Sequence, residues 1–235
     1  MRKIISHFKE NWIRYGFETA VIVSGIIIAF SLNNWNEGRK TKNIEVKILK
    51  ELKSDLEANY KEIEGIRNMA LGSYIRFDSL IYYLENDKPF RSGFRGLVRS
   101  GGYFNSANTA YKLIESGGLN VLSNDSLRIK VTHMYQYNFY NILIREKSLR
   151  GFYEDEVDEF RLTHFEFSDN PDNSSDQFEL IPYNESELRK NNRFKSLLYS
   201  IRGFVNGRTR FMKNILDELK ELIEETEVEI IRLDK

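Results

Sequence analysis

Hydrophobic and polar positions divide the chain into two regimes. Residues 19–32 carry no charge and are mostly apolar, with three consecutive isoleucines at 26–28. From about 43 onward the apolar residues become periodic instead. Leu49, Leu52, Leu56, Tyr60, Ile63, Ile66, Ala70, Tyr74, Phe77, Ile81 and Leu84 are spaced by threes and fours, which predicts one amphipathic helix roughly 60 Å long. Lys50, Lys53, Glu57, Lys61 and Glu64 fall on its wet side. Asp87, Pro89 and Gly93 end it, and a Gly-rich connection leads to a short helix over about 106–116, stopped by Gly117 and Gly118.

Ser123 or Asn124 can cap a third helix, striped by Leu127, Val131, Tyr135, Ile142, Leu149, Phe152, Val157 and Phe160 and reaching about Phe167. Residues 168–182 are rich in Asp, Asn, Ser and Pro and read as an exposed loop. A last long helix carries Phe194, Leu197, Leu198, Ile201, Phe204, Phe211, Ile215, Leu219, Leu222 and Ile230, with Gly203 and Gly207 weakening or bending its first half. The expected fold is all-α: an N-terminal transmembrane helix followed by an antiparallel bundle of long helices.

The uncharged run has the dimensions of an anchor. From Tyr15 to Asn36 there is one formal charge, Glu18, and about 22 helical residues just cross a hydrocarbon layer of ~30 Å. Trp12 and Trp35 stand roughly 35 Å apart along such a helix, matching indoles at two headgroup levels. Two other readings stay open. The strictly apolar stretch is short enough for a signal peptide, with Ala29-Phe30-Ser31 resembling a cleavage site, and a short run also suits a buried helix of a soluble domain. Gly25 with Ala29, and Ala20 with Ser24, are small-xxx-small pairs that would let two copies approach closely. The expected organisation is a cytoplasmic tail over 1–14, the span over 15–36 and a helical domain over 37–235. Basic residues flank the span on both sides, Arg2, Lys3, Lys9 and Arg14 against Arg39, Lys40, Lys42 and Lys47, so charge alone does not orient it.

Composition narrows the chemistry. With 35 basic and 35 acidic residues, nothing electrostatic favours nucleic acid, and no basic tract interleaved with stacking aromatics is present. The absence of cysteine excludes disulfides, Fe–S clusters and thiolate zinc sites. His7, His133 and His164 are far apart and form neither HExxH nor ExxH, so no metal or cofactor is expected. There is no Gly-x-Ser-x-Gly elbow.

Three further features are weighed against simpler roles. Arg91, Arg95 and Arg99 recur every four residues among Gly93, Gly96, Gly101 and Gly102, a candidate anionic-ligand loop. However, Gly102 stands where a phosphate loop needs lysine, and a solvated basic loop is the simpler account. Asp169, Asp172, Asn173 and Asp176 could gather around calcium but lack the EF-hand glycine and terminal glutamate. The acidic run Glu154, Asp155, Glu156, Asp158 and Glu159 offers carboxylates to a hydrolase, though a solvated helix face is the simpler account. The aromatic middle of the chain (Tyr135, Tyr137, Phe139, Tyr140, Phe152, Tyr153, Phe160, Phe165, Phe167) supplies core, and a subset can line a pocket between helices.

At Glu18, Gly25-Ile26-x-Ile28-Ala29 and Asn33-Asn34-Trp35-Asn36-Glu37 with Arg39-Lys40, the chain resembles the bacterial single-pass membrane proteins of domain-of-unknown-function family 6090. Leu49, Leu52, Asp55 and Leu56, then Tyr111-x-x-Ile114-x-Ser116-Gly117-x-Leu119 with Ser123-Asn124-x-x-Leu127, continue the likeness over roughly the first 60% of the chain. The resemblance implies a retained anchor in the bacterial inner membrane, an inside N-terminus and a periplasmic helical domain, and supplies no catalytic residue. The expected role is therefore a non-enzymatic binding or scaffold module. Its partners would be the bilayer and a protein or second copy. The alternative is a ligand-sensing subunit that signals through a separate membrane protein.

Overall fold

The computed structural model describes residues 2–90, 94–98, 102–117, 121–169 and 178–234; for 2–15, Arg95, Asp169 and Phe178 it describes the backbone alone. The fold is all-α apart from one small hairpin. Helix α1 runs without interruption over Arg2–Glu85, so the apolar run and the periodic stripe belong to one helix about 125 Å long. It ends where Asp87 adopts a left-handed φ of 48° and Lys88 N–H returns to the Tyr83 carbonyl at 2.9 Å, a C-terminal cap in which a short polar residue replaces glycine.

A 3-10 turn (Phe94–Leu97) and helix α2 (Thr109–Gly117) follow. Next come α3 (Asp125–His133), α4 (Tyr140–Phe152) and α5 (Asp158–His164), joined end to end through π-helical segments at Met134–Phe139 and Tyr153–Val157. Strands β1 (Phe165–Asp169) and β2 (Phe178–Pro182) form an antiparallel pair, followed by α6 (Glu185–Lys190) and α7 (Asn192–Asp234). Helix α7 packs along α1, with Lys50 reaching Asp234 and Arg202 reaching Asp78, so the two run antiparallel.

The core consists of two apolar clusters stacked along this pair. The first joins Leu49, Leu52, Leu56 and Ile63 of α1 to Met212, Ile215, Leu219 and Leu222 of α7, with α2, α3 and Ile142 closing it. Tyr111 and Tyr135 stack within it at 4.5 Å, nearly parallel. The second joins Phe77, Leu80 and Ile81 to Phe194, Leu198 and Ile201, and is filled by Phe94, Phe160 and Phe165.

Several boundaries differ from those the sequence pattern predicts. Helix α2 starts at Thr109 rather than near Ser106, because residues 102–108 are strapped along α1. Glu62 accepts Asn105 N–H (2.8 Å), Asn59 grips Ala107 through both its N–H (2.7 Å) and its carbonyl (2.8 Å), and Asp55 accepts Ala110 N–H (2.8 Å). These three α1 residues share one face at spacings of three and four, and Asn59 is fully buried. They meet backbone groups that an extended segment leaves without partners of its own.

The stretch read as an exposed loop over 168–182 has paired ends. Phe165 stands opposite Pro182 and Phe167 opposite Leu180, and the third helix correspondingly ends at His164, before Phe167. The Asp/Asn/Ser-rich composition of the connection hides the period-two alternation at either end. Gly203 and Gly207 do not interrupt α7, and Phe204, expected in the core, is exposed beside Phe152.

Candidate ligand pocket at the waist of the bundle

Where the two clusters meet, the helices carry charge instead of hydrocarbon. On α4, Glu146 lies between Ile142 of the first cluster and Leu149 of the second; on α7, Arg208 lies between Met212 and Val205. Glu146 is 6% exposed and Arg208 7%, and they stand 2.8 Å apart. Glu146 also accepts Phe104 N–H through both carboxylate oxygens (3.2 Å), and Arg208 donates to the Gly102 carbonyl (2.7 Å). Burial raises the Glu146 carboxyl above its ordinary range, while Arg208 and the Phe104 amide pull it back down.

This pair forms the back of a cavity of about 220 Å³. Its walls come from Val98, Tyr103, Leu149, Arg150 and Tyr153, with Glu154, Asp158 and Arg161 at one side. The second π-helical segment shapes it. A π turn holds one more residue than an α turn and so rotates the residues beyond it about the helix axis, and such insertions are frequent at functional sites. Tyr153 opens that segment and donates to the Gly96 carbonyl at 2.8 Å, and Asp158 and Arg161, beyond it, line the same cavity. The Arg150 guanidinium lies over the Tyr103 ring at 4.5 Å. Asp158 pairs with Arg161 at 3.1 Å.

The pocket divides the acidic run. Glu154 and Asp158 face the cavity, whereas Glu156 and Glu159 pair with Arg193 at 3.6 and 3.2 Å. Of the basic loop, Arg95 lies in the 3-10 turn, and Arg91 and Arg99 lie outside the described residues, as do Asp172, Asn173 and Asp176 of the calcium candidate. Gly96 is needed for packing, since a Cβ there would stand 2.6 Å from the Phe77 ring. His133 stacks on Tyr137, and the His164 Nδ1 contacts the Phe160 carbonyl. Among the described residues no three acidic or histidine side chains converge as a metal would require.

Of the residues expected to form an anchor, Glu18, Gly25, Ala29 and Trp35 lie on the exposed part of α1, Trp35 with Arg39 near its ring. Trp12 and Tyr15 lie on its backbone-only segment. Sequence reasoning misses Glu146 and Arg208 because each sits in a helix dense with surface charge. The one available signal is position, each replacing an apolar residue in its stripe.

Residues 18–183 match the family of unknown function DUF6090. The chain belongs to that family. No curated protein and no solved structure matches it. The DUF6090 region covers the exposed end of α1, the strap, both π segments and the hairpin, and stops before α6. Helix α7 lies beyond the match, yet it supplies one side of both clusters and Arg208 of the buried pair. Three positions of the family likeness have physical work here. Asp55 holds the start of α2, Asn124 caps α3 by accepting Leu127 N–H (3.1 Å), and Ser123 gives its N–H and hydroxyl to Glu45.

Proposed function

We propose that this DUF6090 protein is a single-pass, non-enzymatic binding or scaffold module of the bacterial inner membrane, its helical bundle on the periplasmic side. One observation carries the reading. The only helix among the described residues long and apolar enough to cross a membrane has none of that window buried, and it continues without a break into the bundle core. Nine large apolar side chains, Phe17, Val21, Ile22, Val23, Ile26, Ile27, Ile28, Phe30 and Leu32, are exposed there. Covering each is worth on the order of 1.5–3 kcal/mol, so a lipid environment offsets a cost the chain alone does not. From Trp35 to Glu45, where burial begins, the helix rises ~15 Å, which holds the bundle just off the bilayer.

The binding role rests on architecture rather than chemistry. Glu146 and Asp158, two carboxylates of the waist pocket, are each held by an arginine, an arrangement suited to structure and recognition. On the membrane helix, a Cβ at Gly25 would meet nothing within 4 Å, leaving that face open to a second copy. The pocket favours the second reading, a ligand-sensing subunit, because it lies on helices packed against one continuous with the anchor.

Topology and partners are separately measurable. The chain has no cysteine, so Asp217→Cys on the exposed side of α7 provides a unique label. It is expected to react with a membrane-impermeant maleimide in spheroplasts; reaction only after membrane rupture would place the bundle on the other side. Cross-linking in native membranes is expected to give a discrete adduct, with a second copy or with one envelope protein, and recovery of uncross-linked monomer alone would contradict the scaffold role.

A further inference from the structure

We propose that the waist pocket binds a zwitterion of free amino-acid size, holding its carboxylate at Arg150 and its ammonium at Glu154. The cavity of about 220 Å³ holds roughly seven water-sized groups, below the range of drug-sized sites, and so fits a molecule of amino-acid bulk rather than a lipid chain. Its charges are not all internally satisfied. Glu146 is matched by Arg208 and Asp158 by Arg161; Arg150 adds only a longer-range attraction to Glu146, and neither it nor Glu154 has an opposite charge within ion-pair distance among the described residues.

These two residues, four apart across the junction of α4 and the π segment, place one cation and one anion at the exposed rim of one small cavity. A guanidinium resting on an aromatic ring, as Arg150 does on Tyr103, keeps its edge N–H groups available for a bidentate carboxylate. Val98 and Leu149 supply the apolar wall for a side chain. The buried Glu146–Arg208 pair fixes the floor, so recognition is pre-organised rather than assembled on binding.

The inference stands on the pocket alone and does not require the anchored reading, because binding is measured on the full chain in mild detergent. Isothermal titration with L-leucine and L-phenylalanine is expected to give saturable one-to-one binding by at least one of them. Arg150→Ala and Glu154→Gln, both at exposed positions, are each expected to weaken it about tenfold or more, with Glu154→Gln leaving the melting temperature unchanged and Arg150→Ala lowering it only by what the Tyr103 contact is worth. The ammonium-free analogue 4-methylpentanoate is expected to bind weakly and to be insensitive to Glu154→Gln. No saturable heat with either amino acid, binding unaltered in both variants, or 4-methylpentanoate binding as tightly as leucine would each overturn the assignment.

Discussion

Glu146 and Arg208 form a buried ion pair, 2.8 Å apart, at the level where the two apolar clusters of the bundle meet. Each charge is out of water and depends on the other. Glu146→Leu leaves Arg208 with a carbonyl and no counter-charge and the Phe104 N–H without its acceptor, and is expected to lower unfolding free energy by about 3–5 kcal/mol in urea titrations. The double variant Glu146→Leu with Arg208→Met is expected to recover most of that loss, because removing both charges also removes both desolvation costs.

A second polar contact ties the start of the bundle together. Glu45, nearly buried, accepts the Ser123 N–H at 2.6 Å and its hydroxyl at 2.8 Å, while Arg232 near the end of α7 also reaches that hydroxyl. Glu45→Ala leaves a backbone donor unmet and is expected to cost about 1–3 kcal/mol. Asp55→Ala, which strips the start of α2 of its partner, is expected to cost about 1 kcal/mol. Denaturant midpoints measured on both variants check the order.

The contact between Gly96 and Phe77 tolerates no added atom. A Cβ would come within 2.6 Å of a fully buried ring, so Gly96→Ala is expected to destabilise by about 1–3 kcal/mol through overpacking. Tyr153→Phe, which loses the hydrogen bond to the Gly96 carbonyl and keeps the ring, is expected to cost less, about 1 kcal/mol. Thermal melts of the two variants distinguish packing from hydrogen bonding at this site.

Two glutamates respond to acid with opposite signs. Hydrogen bonds from Arg232, with Asn124 adding to them, hold the Glu229 carboxyl below its ordinary 4.5. Its stabilisation is thus present above that value and lost as pH falls through the folded pKa. Glu146 is raised by burial, so its protonation favours the folded state, and that contribution is lost as pH rises through the folded pKa. Glu229→Gln is expected to flatten the loss of stability below about pH 4.5, and Glu146→Gln to remove a gain in stability that the natural chain shows on acidification toward 4.5 from above. Urea midpoints across an acid pH series read both.

The helices are legible in the sequence because burial imposes a period that the chain displays openly. Of the first stripe, Leu49, Leu52, Leu56, Ile63, Ile66 and Phe77 are all buried, and of the two candidate caps for α3 it is Asn124 that serves. The strap is not legible. Asp55, Asn59 and Glu62 look like ordinary wet positions until an extended segment arrives from some 48 residues away to use them. The π segments are equally hidden, since one extra residue in a turn shifts the apparent stripe without breaking it. The pocket inherits both difficulties: its charges sit in helices whose surfaces are charged anyway, and only packing separates Glu146 from Lys147 beside it.

The proposal that the apolar end of α1 is a retained anchor is tested most directly by alkaline carbonate extraction of membranes carrying the full chain, with the intact mass of the protein measured in each fraction. The expected result is a full-length protein that stays in the pellet and is released only by detergent. Release into the alkaline supernatant, or a chain shortened to begin just beyond Ser31, would contradict it.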